Sequence, residues 1–218
     1  MSHSKPGRPK SRGVENASRL TREHWIDAAF QATVERGLDA VRVLALADTL
    51  GVTRGSFYWH FSDHAELLQA VIDRWHRRHL AMHKERPSAT TEDPAGAILQ
   101  LLDETIAQSE QDRDHDRFEQ ALRSRASKDP EVAQLMEQVD RDRLALLHTH
   151  YLALTADEQR ARELSALFYL AVVGSHQALN RPSGNDKLAD YLKSIIARHL
   201  VHAVRNAAPG TGAPSGPR

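Results

Sequence analysis

Three observations predict an all-α fold: an N-terminal three-helix domain of helix-turn-helix type followed by a C-terminal helical bundle. Apolar residues recur at three- and four-residue spacing through almost all of the interior of the chain, which is the period of one buried helix face. No segment shows the sustained apolar–polar alternation of a half-buried strand. Helix punctuation falls between the periodic segments, with Gly37 and Gly51 closing two of them and Pro94 and Pro130 opening two others.

The first helix is expected to begin at Thr21, a plausible N-cap, and to end at Gly37. Trp25, Ile26, Ala29, Phe30, Thr33 and Val34 form its apolar stripe. A second helix is predicted over Val43–Leu50, stopped by Gly51, and a third over Arg54–His60, capped by Thr53. A long fourth helix follows Ser62 and Asp63, with Leu67, Leu68, Val71, Ile72, Trp75 and Leu80 on its inner face. Further helices read as Ala95–Ser109, Asp116–Ser127, Pro130–Leu154, Ala156–Leu179 and Asp186–Asn206, with QDRDHD and RPSGND as connectors. The expected organisation is a basic arm at 1–18, the helix-turn-helix domain at 19–79 with its motif at about 42–61, a helical domain at 80–205 and a low-complexity tail at 206–218.

Composition removes several classes of function. The 218 residues contain no cysteine, so disulfides, thiolate metal sites and a cysteine nucleophile are excluded. The start, MSHSKPGRPK, lacks the apolar core of a signal peptide, and no run reaches the roughly 18 to 20 apolar residues of a membrane span. The expectation is a soluble, cytoplasmic chain with no membrane partner. Global charge is balanced at 29 basic and 29 acidic residues, but its distribution is not. Between Met1 and Arg22 stand Lys5, Arg8, Lys10, Arg12, Arg19 and Arg22 against the single acid Glu15. A single-sign arm on a neutral body suits a polyanion, although such tails are also found merely solvated.

The segment GVTRGSFYWHF, residues 51–61, holds four aromatics in its last five positions. Leu46, Ala47, Leu50 and Val52 are small or apolar where two helices must cross closely. Thr53, Arg54, Gly55 and Ser56 then put slender polar groups at the start of the third helix. Such a helix start enters a major groove, with backbone N–H groups and the Thr53 hydroxyl offered to phosphate. Arg54 reaches a guanine edge or a phosphate, and Ser56 meets either base type. A helix of barely two turns cannot hold itself by propensity. Phe57 and Phe61, four apart, are therefore expected to pin it inward, with Tyr58 and His60 turned to the DNA backbone. Trp59 is left as groove wall or core.

VRVLALADTLGVTRGSFYWHFSDHAELL resembles the DNA-binding domain of the TetR (tetracycline-repressor-like) family of bacterial transcriptional regulators, and the likeness runs from about Arg19 through Leu80. Weaker likeness continues in FEQALRSRASKDPEVAQLMEQVDRDRLALL. The resemblance implies a homodimer joined through its last two helices, bound to palindromic operator DNA and released by a small-molecule inducer. Carried over by motif position, Thr53, Tyr58 and His60 fall on phosphate contacts, and Arg54, Gly55 and Ser56 on base contacts. Arg42 stands where the family usually has Ser or Thr, so either a phosphate contact or a stem lying along the helix is open. His64 replaces the Lys common at the start of the fourth helix, which would make a contact there weaker and pH-dependent.

In the arm, KPGRPK resembles a partial AT-hook. Lys5, Arg8, Lys10 and Arg12 either contact the minor groove or phosphates, or form a solvated tail. The family likeness also implies a ligand pocket, for which Trp75, Phe118, Met136, His150, Tyr151, Phe168 and His176 are the candidates. For His150 and His176 a satisfied core histidine is the other reading. No cofactor or metal is expected: His76, His79 and His83 share a helix face that reads as solvated and basic, and His115 sits in an acidic loop. Two other classes compete, an all-α metal-dependent enzyme and a helical protein that binds DNA without sequence preference. No serine elbow, phosphate loop or His-Glu-x-x-His set supports the enzyme.

Overall fold

A computed structural model describes residues 20–85, 93–106, 110–179, 186–202 and 204, and every described element is helical. The chain divides into two compact units, residues 1–81 and 82–218.

In the first unit, α1 (Arg22–Arg36) opens at Thr21, whose backbone N–H donates to His24 Nδ1 at 3.1 Å. Gly37 closes it with φ +83°, a conformation that favours glycine. A 3₁₀ turn, Leu38–Ala40, leads to α2 (Val43–Leu50). Gly51 ends α2 in the left-handed region at φ 67°, ψ 32°. Its N–H donates to the Asp48 carbonyl at 3.2 Å and that of Val52 to the Ala47 carbonyl at 3.0 Å. These paired bonds satisfy the last carbonyls of α2 and set the turn of the motif. The single-turn α3 (Arg54–Phe57) follows, then α4 (His64–Glu85). Asp63 Oδ1 accepts the Glu66 N–H at the head of α4 at 2.9 Å, while the Glu66 carboxylate accepts from the N–H and hydroxyl of Ser62 at 2.8 and 2.9 Å.

The inner face of α4 differs from expectation at one point. Leu80 is exposed and His79 is buried, its ring stacked on Trp75 at 5.6 Å. The reading of His79 as part of a solvated face is therefore corrected. The His83 side chain lies outside the described residues.

The second unit contains α5 (Pro94–Ile106), α6 (Glu110–Ala126), α7 (Pro130–Thr155), α8 (Glu158–Leu179) and α9 (Asp186–Ile195), which passes into a π-helical segment, Ile196–His202. α7 is the hub, packing against α5, α6 and α8. Its start is capped by Asp129 with Pro130 in the first turn. It ends at Ala156, which takes the left-handed conformation at φ 51°, so Ala156 caps α7 rather than starting α8. Ile98, Leu102, Leu147, Tyr151, Leu164, Phe168, Ile196 and Val201 are among the residues of its apolar core. The expected QDRDHD connector is part of α6, and His115 there is buried rather than lying in an acidic loop.

Candidate nucleic-acid interface and the bundle interior

The short α3 is held from inside by its aromatics. Phe57 and Phe61 are buried. The Phe57 ring meets Trp25 of α1 edge-on at 5.3 Å and stacks on Phe61 at 5.4 Å. The Arg22 guanidinium lies over Phe61 at 4.5 Å. Aromatic pairs in such geometries add to the value of their burial, which is how a single helical turn acquires a fixed position.

The outward face is then defined by exclusion. Tyr58 is 51% exposed and Trp59 76%, and Thr53, Arg54 and Gly55 are exposed beside them. Trp59 is thus a surface residue, and the core alternative is removed. Arg54 Nη2 donates to the Tyr58 hydroxyl at 3.2 Å, so these two side chains present one combined cationic and hydroxyl surface. Thr53 occupies the N-cap position of α3, but its hydroxyl makes no hydrogen bond to the first turn. The turn is closed by the Thr53 carbonyl, which accepts the Ser56 N–H at 3.1 Å. His60 is half-buried and Arg42 is exposed at the head of α2.

Two of the expected contact residues are engaged within the protein. Ser56 is only 4% exposed, and its hydroxyl donates back to the Thr53 carbonyl at 2.8 Å, so its hydrogen shapes the turn rather than being offered to a base. His64 directs Nε2 to the Val41 carbonyl at 2.5 Å, which ties α4 to the entry of α2 and leaves Nδ1 as the ring nitrogen for any phosphate contact. One residue was missed from the sequence: Leu44, in the first turn of α2, is 62% exposed. The signal was present, because Leu44 falls off the stripe defined by Leu46, Ala47 and Leu50. Lys5, Arg8, Lys10 and Arg12 lie outside the described residues.

Of the pocket candidates, Phe118, Met136, His150, Tyr151 and Phe168 are buried in the second unit, and the Tyr151 and Phe168 rings are 6.4 Å apart, edge to face. Trp75 belongs to the first unit, where it stacks on His79. The His176 side chain is outside the described residues. Burial lowers the basicity of the His150 imidazole and raises the pKa of the Tyr151 phenol, keeping both uncharged near neutrality.

The bundle also holds an ionic cluster that the sequence did not reveal. Glu119 of α6 accepts from Arg143 of α7 through both oxygens, at 2.8 and 2.7 Å, and from Arg123 Nε and Nη2 at 3.0 and 2.8 Å. Arg123 also donates to Asp140 at 2.6 and 3.2 Å, and the Tyr169 hydroxyl of α8 donates to Asp140 at 2.5 Å. Burial pushes the Glu119 carboxyl upward, but the arginines prevail and hold it down at about 2. Two carboxylates and two guanidinium groups leave the cluster neutral. Among the described residues, no group of three or more histidine, aspartate or glutamate side chains could hold a metal ion, and no helix is long and apolar enough to cross a membrane.

Comparison with known proteins places this geometry. Residues 26–71 match the family described as bacterial regulatory proteins, tetR family. The HTH-type transcriptional regulator TtgR of Pseudomonas putida is 36% identical over 91 residues, which is 42% of this chain and 43% of that protein. The class D tetracycline repressor protein of Escherichia coli is 37% identical over 62 residues, 28% of each chain. The chain thus spans less than half the length of these curated relatives in the matched region. Solved structures extend the likeness of fold. A transcriptional regulator from Rhodococcus superposes with a TM-score of 0.68 at 20% identity, covering 88% of this chain and all (100%) of that one. NalD of Pseudomonas aeruginosa, the secondary repressor of the MexAB-OprM multidrug efflux pump, superposes at 0.61 with 19% identity over 88% of this chain and 99% of its own.

Proposed function

We propose that this chain, whose residues 26–71 match the tetR family of bacterial regulatory proteins, is a sequence-specific transcriptional regulator, a repressor released from a palindromic operator by a small molecule. One observation carries the reading. The inner aromatics of α3 fix a helical turn whose opposite side leaves Thr53, Arg54, Gly55, Tyr58 and Trp59 facing outward. Thr53, Tyr58 and His60 contact phosphates, Arg54 reads a base edge, and Arg42 reaches the adjacent backbone. Leu44 adds an apolar surface suited to a thymine methyl group. The arm with Lys5, Arg8, Lys10 and Arg12 supplies further sequence-independent attraction.

The test is fluorescence anisotropy with DNA flanking the chain's own gene, at two salt concentrations, with random DNA as competitor. Saturable binding that survives the competitor supports the regulator. Binding that random DNA removes in full favours the nonspecific DNA-binding alternative. Within that assay Arg54→Ala is expected to weaken operator binding by about 1–3 kcal/mol, roughly 5- to 150-fold. Unchanged affinity would place the base contact elsewhere.

Gly55 gives a sharper discrimination. A Cβ built there meets nothing closer than the Thr53 hydroxyl oxygen at 3.7 Å, an ordinary contact, so the fold itself does not require glycine. Gly55→Ala is expected to leave the domain as stable or more so, because alanine favours helix, while operator affinity falls through loss of close approach. Weaker DNA binding together with a lowered melting temperature would contradict this.

The homodimer is proposed through α8 and α9. Leu167 and Leu170, one turn apart on α8, and Tyr191 on α9 are large apolar side chains more than half exposed, the kind of surface that marks an interface. Two copies would hold their α3 helices about one DNA turn, roughly 34–36 Å, apart. Leu170→Glu is expected to shift the protein to monomer in analytical ultracentrifugation at micromolar concentration. A dimer that persists would move the interface off this face.

A further inference from the structure

We infer that His150 and Tyr151 form the polar recognition point of a small-molecule site inside the bundle, one that takes an uncharged, largely apolar ligand bearing a hydrogen-bonding group. This rests on the inducer part of the reading above and gives it a ligand class.

Both side chains are fully buried, and neither ring nitrogen of His150 nor the Tyr151 hydroxyl has a hydrogen-bond partner within the protein. A neutral imidazole carries one donor and one acceptor, and a phenol can do either. Consecutive residues of the hub helix α7 therefore hold three unmet hydrogen-bonding atoms. Buried polar groups are almost always satisfied, and an exception calls for a partner that is not protein. The hydroxyls of the other buried alcohols in this unit show the contrast: Ser165 donates to the Ala161 carbonyl at 2.6 Å and Ser175 to that of Val172 at 2.7 Å.

The ligand's character follows from what surrounds Tyr151 and from the charge state of both groups. Tyr151 sits in the apolar cluster with Leu147, Leu154, Leu164 and Phe168. Burial disfavours the charged form of both His150 and Tyr151, so neither offers an ion to an ion. The carboxylates of Glu119 and Asp140, which could attract a cationic ligand, are already bound by Arg123 and Arg143. An ionised ligand would be stripped of water with no countercharge, whereas a neutral hydroxyl or carbonyl would meet part of the unmet hydrogen bonding.

Isothermal titration of the full chain with 2-naphthol, naphthalene and 2-naphthoate separates the chemistries on one ring system. 2-Naphthol is expected to bind at least tenfold more tightly than either relative, and that advantage should vanish in both His150→Leu and Tyr151→Phe. Each variant is also expected to melt a few degrees higher without ligand, since it removes an unpaired buried group. Equal affinity for naphthol and naphthalene, preference for naphthoate, or no binding of any of the three overturns the inference. So does a lowered melting temperature in His150→Leu, which would mean that the imidazole is part of the core's own bonding. Operator binding is measured on the same unliganded samples. Its absence would sink the regulator reading while leaving the naphthol comparison intact.

Discussion

Phe57→Ala is expected to destabilise the N-terminal unit by about 3–5 kcal/mol, the range for truncating a fully buried phenylalanine. Phe57 has no exposed surface and contacts both Trp25 and Phe61. The local structure cannot compensate. α3 is one turn long, too short to persist by intrinsic propensity, so its position derives from this ring. Folded domains have only about 5–15 kcal/mol of net stability, so the loss takes much of what is available. Urea denaturation followed by the tryptophan emission, to which buried Trp25 and Trp75 of this unit contribute, should show the midpoint falling, with operator binding lost alongside it. Phe57→Leu, which keeps most of the volume, is expected to cost far less. A Phe57→Ala protein within about 0.5 kcal/mol of the parent, well under the penalty for such a truncation, would mean that α3 is anchored by something other than its aromatics.

That same contrast, between groups fixed by local chemistry and groups fixed by tertiary context, explains what could be read in advance. α2 was legible to the residue, Val43–Leu50, because its stop is a backbone requirement that Gly51 alone announces. The inward turn of Phe57 and Phe61 followed from their spacing. α3 was expected to reach His60 but ends at Phe57. The Trp59 and His60 N–H groups bond three residues back, at 3.3 and 2.9 Å, a tighter winding that no helical period reports. The residue type of Ser56 fits a base contact, whereas its hydroxyl hydrogen is held by the Thr53 carbonyl, a bond that residue type does not announce. In α6 the error ran the other way. His115 and Glu119 occupy inward positions beside Phe118 and Leu122, so a stripe search that counts only apolar residues loses the first turns of the helix. Whether a charged residue is solvated or buried with a partner depends on a second helix that the local sequence does not contain.

The cluster around Glu119 yields the other large effect. Glu119→Gln is expected to cost about 3–5 kcal/mol, because it leaves Arg143 buried without the carboxylate that binds both its terminal nitrogens. Removing the pair together tests this reasoning. In Glu119→Leu/Arg143→Met the charges cancel in their absence, and Arg123 keeps Asp140 and Tyr169. The double variant should recover most of the loss. The pH dependence has a definite sign. The Glu119 carboxyl lies below its ordinary 4.5, at about 2, in the folded protein. The stabilisation is therefore fully present above pH 4.5 and is lost as pH falls toward 2. Asp140 is also held below its usual range, burial being outweighed by Arg123 and Tyr169, so it contributes with the same sign. Chemical denaturation of the parent between pH 5 and 3 should show stability falling, and Glu119→Gln should flatten that slope. A parent whose stability is level across this range, or a double variant no better than Glu119→Gln, would show that the cluster lies in solvent rather than in the core. The pairing joins α6 to α7 and, through Tyr169, to α8. Any movement of one of these helices relative to the others must therefore carry its charged partner with it or expose an uncompensated ion, which confines the bundle to rearrangements that keep Glu119, Arg123, Asp140 and Arg143 together.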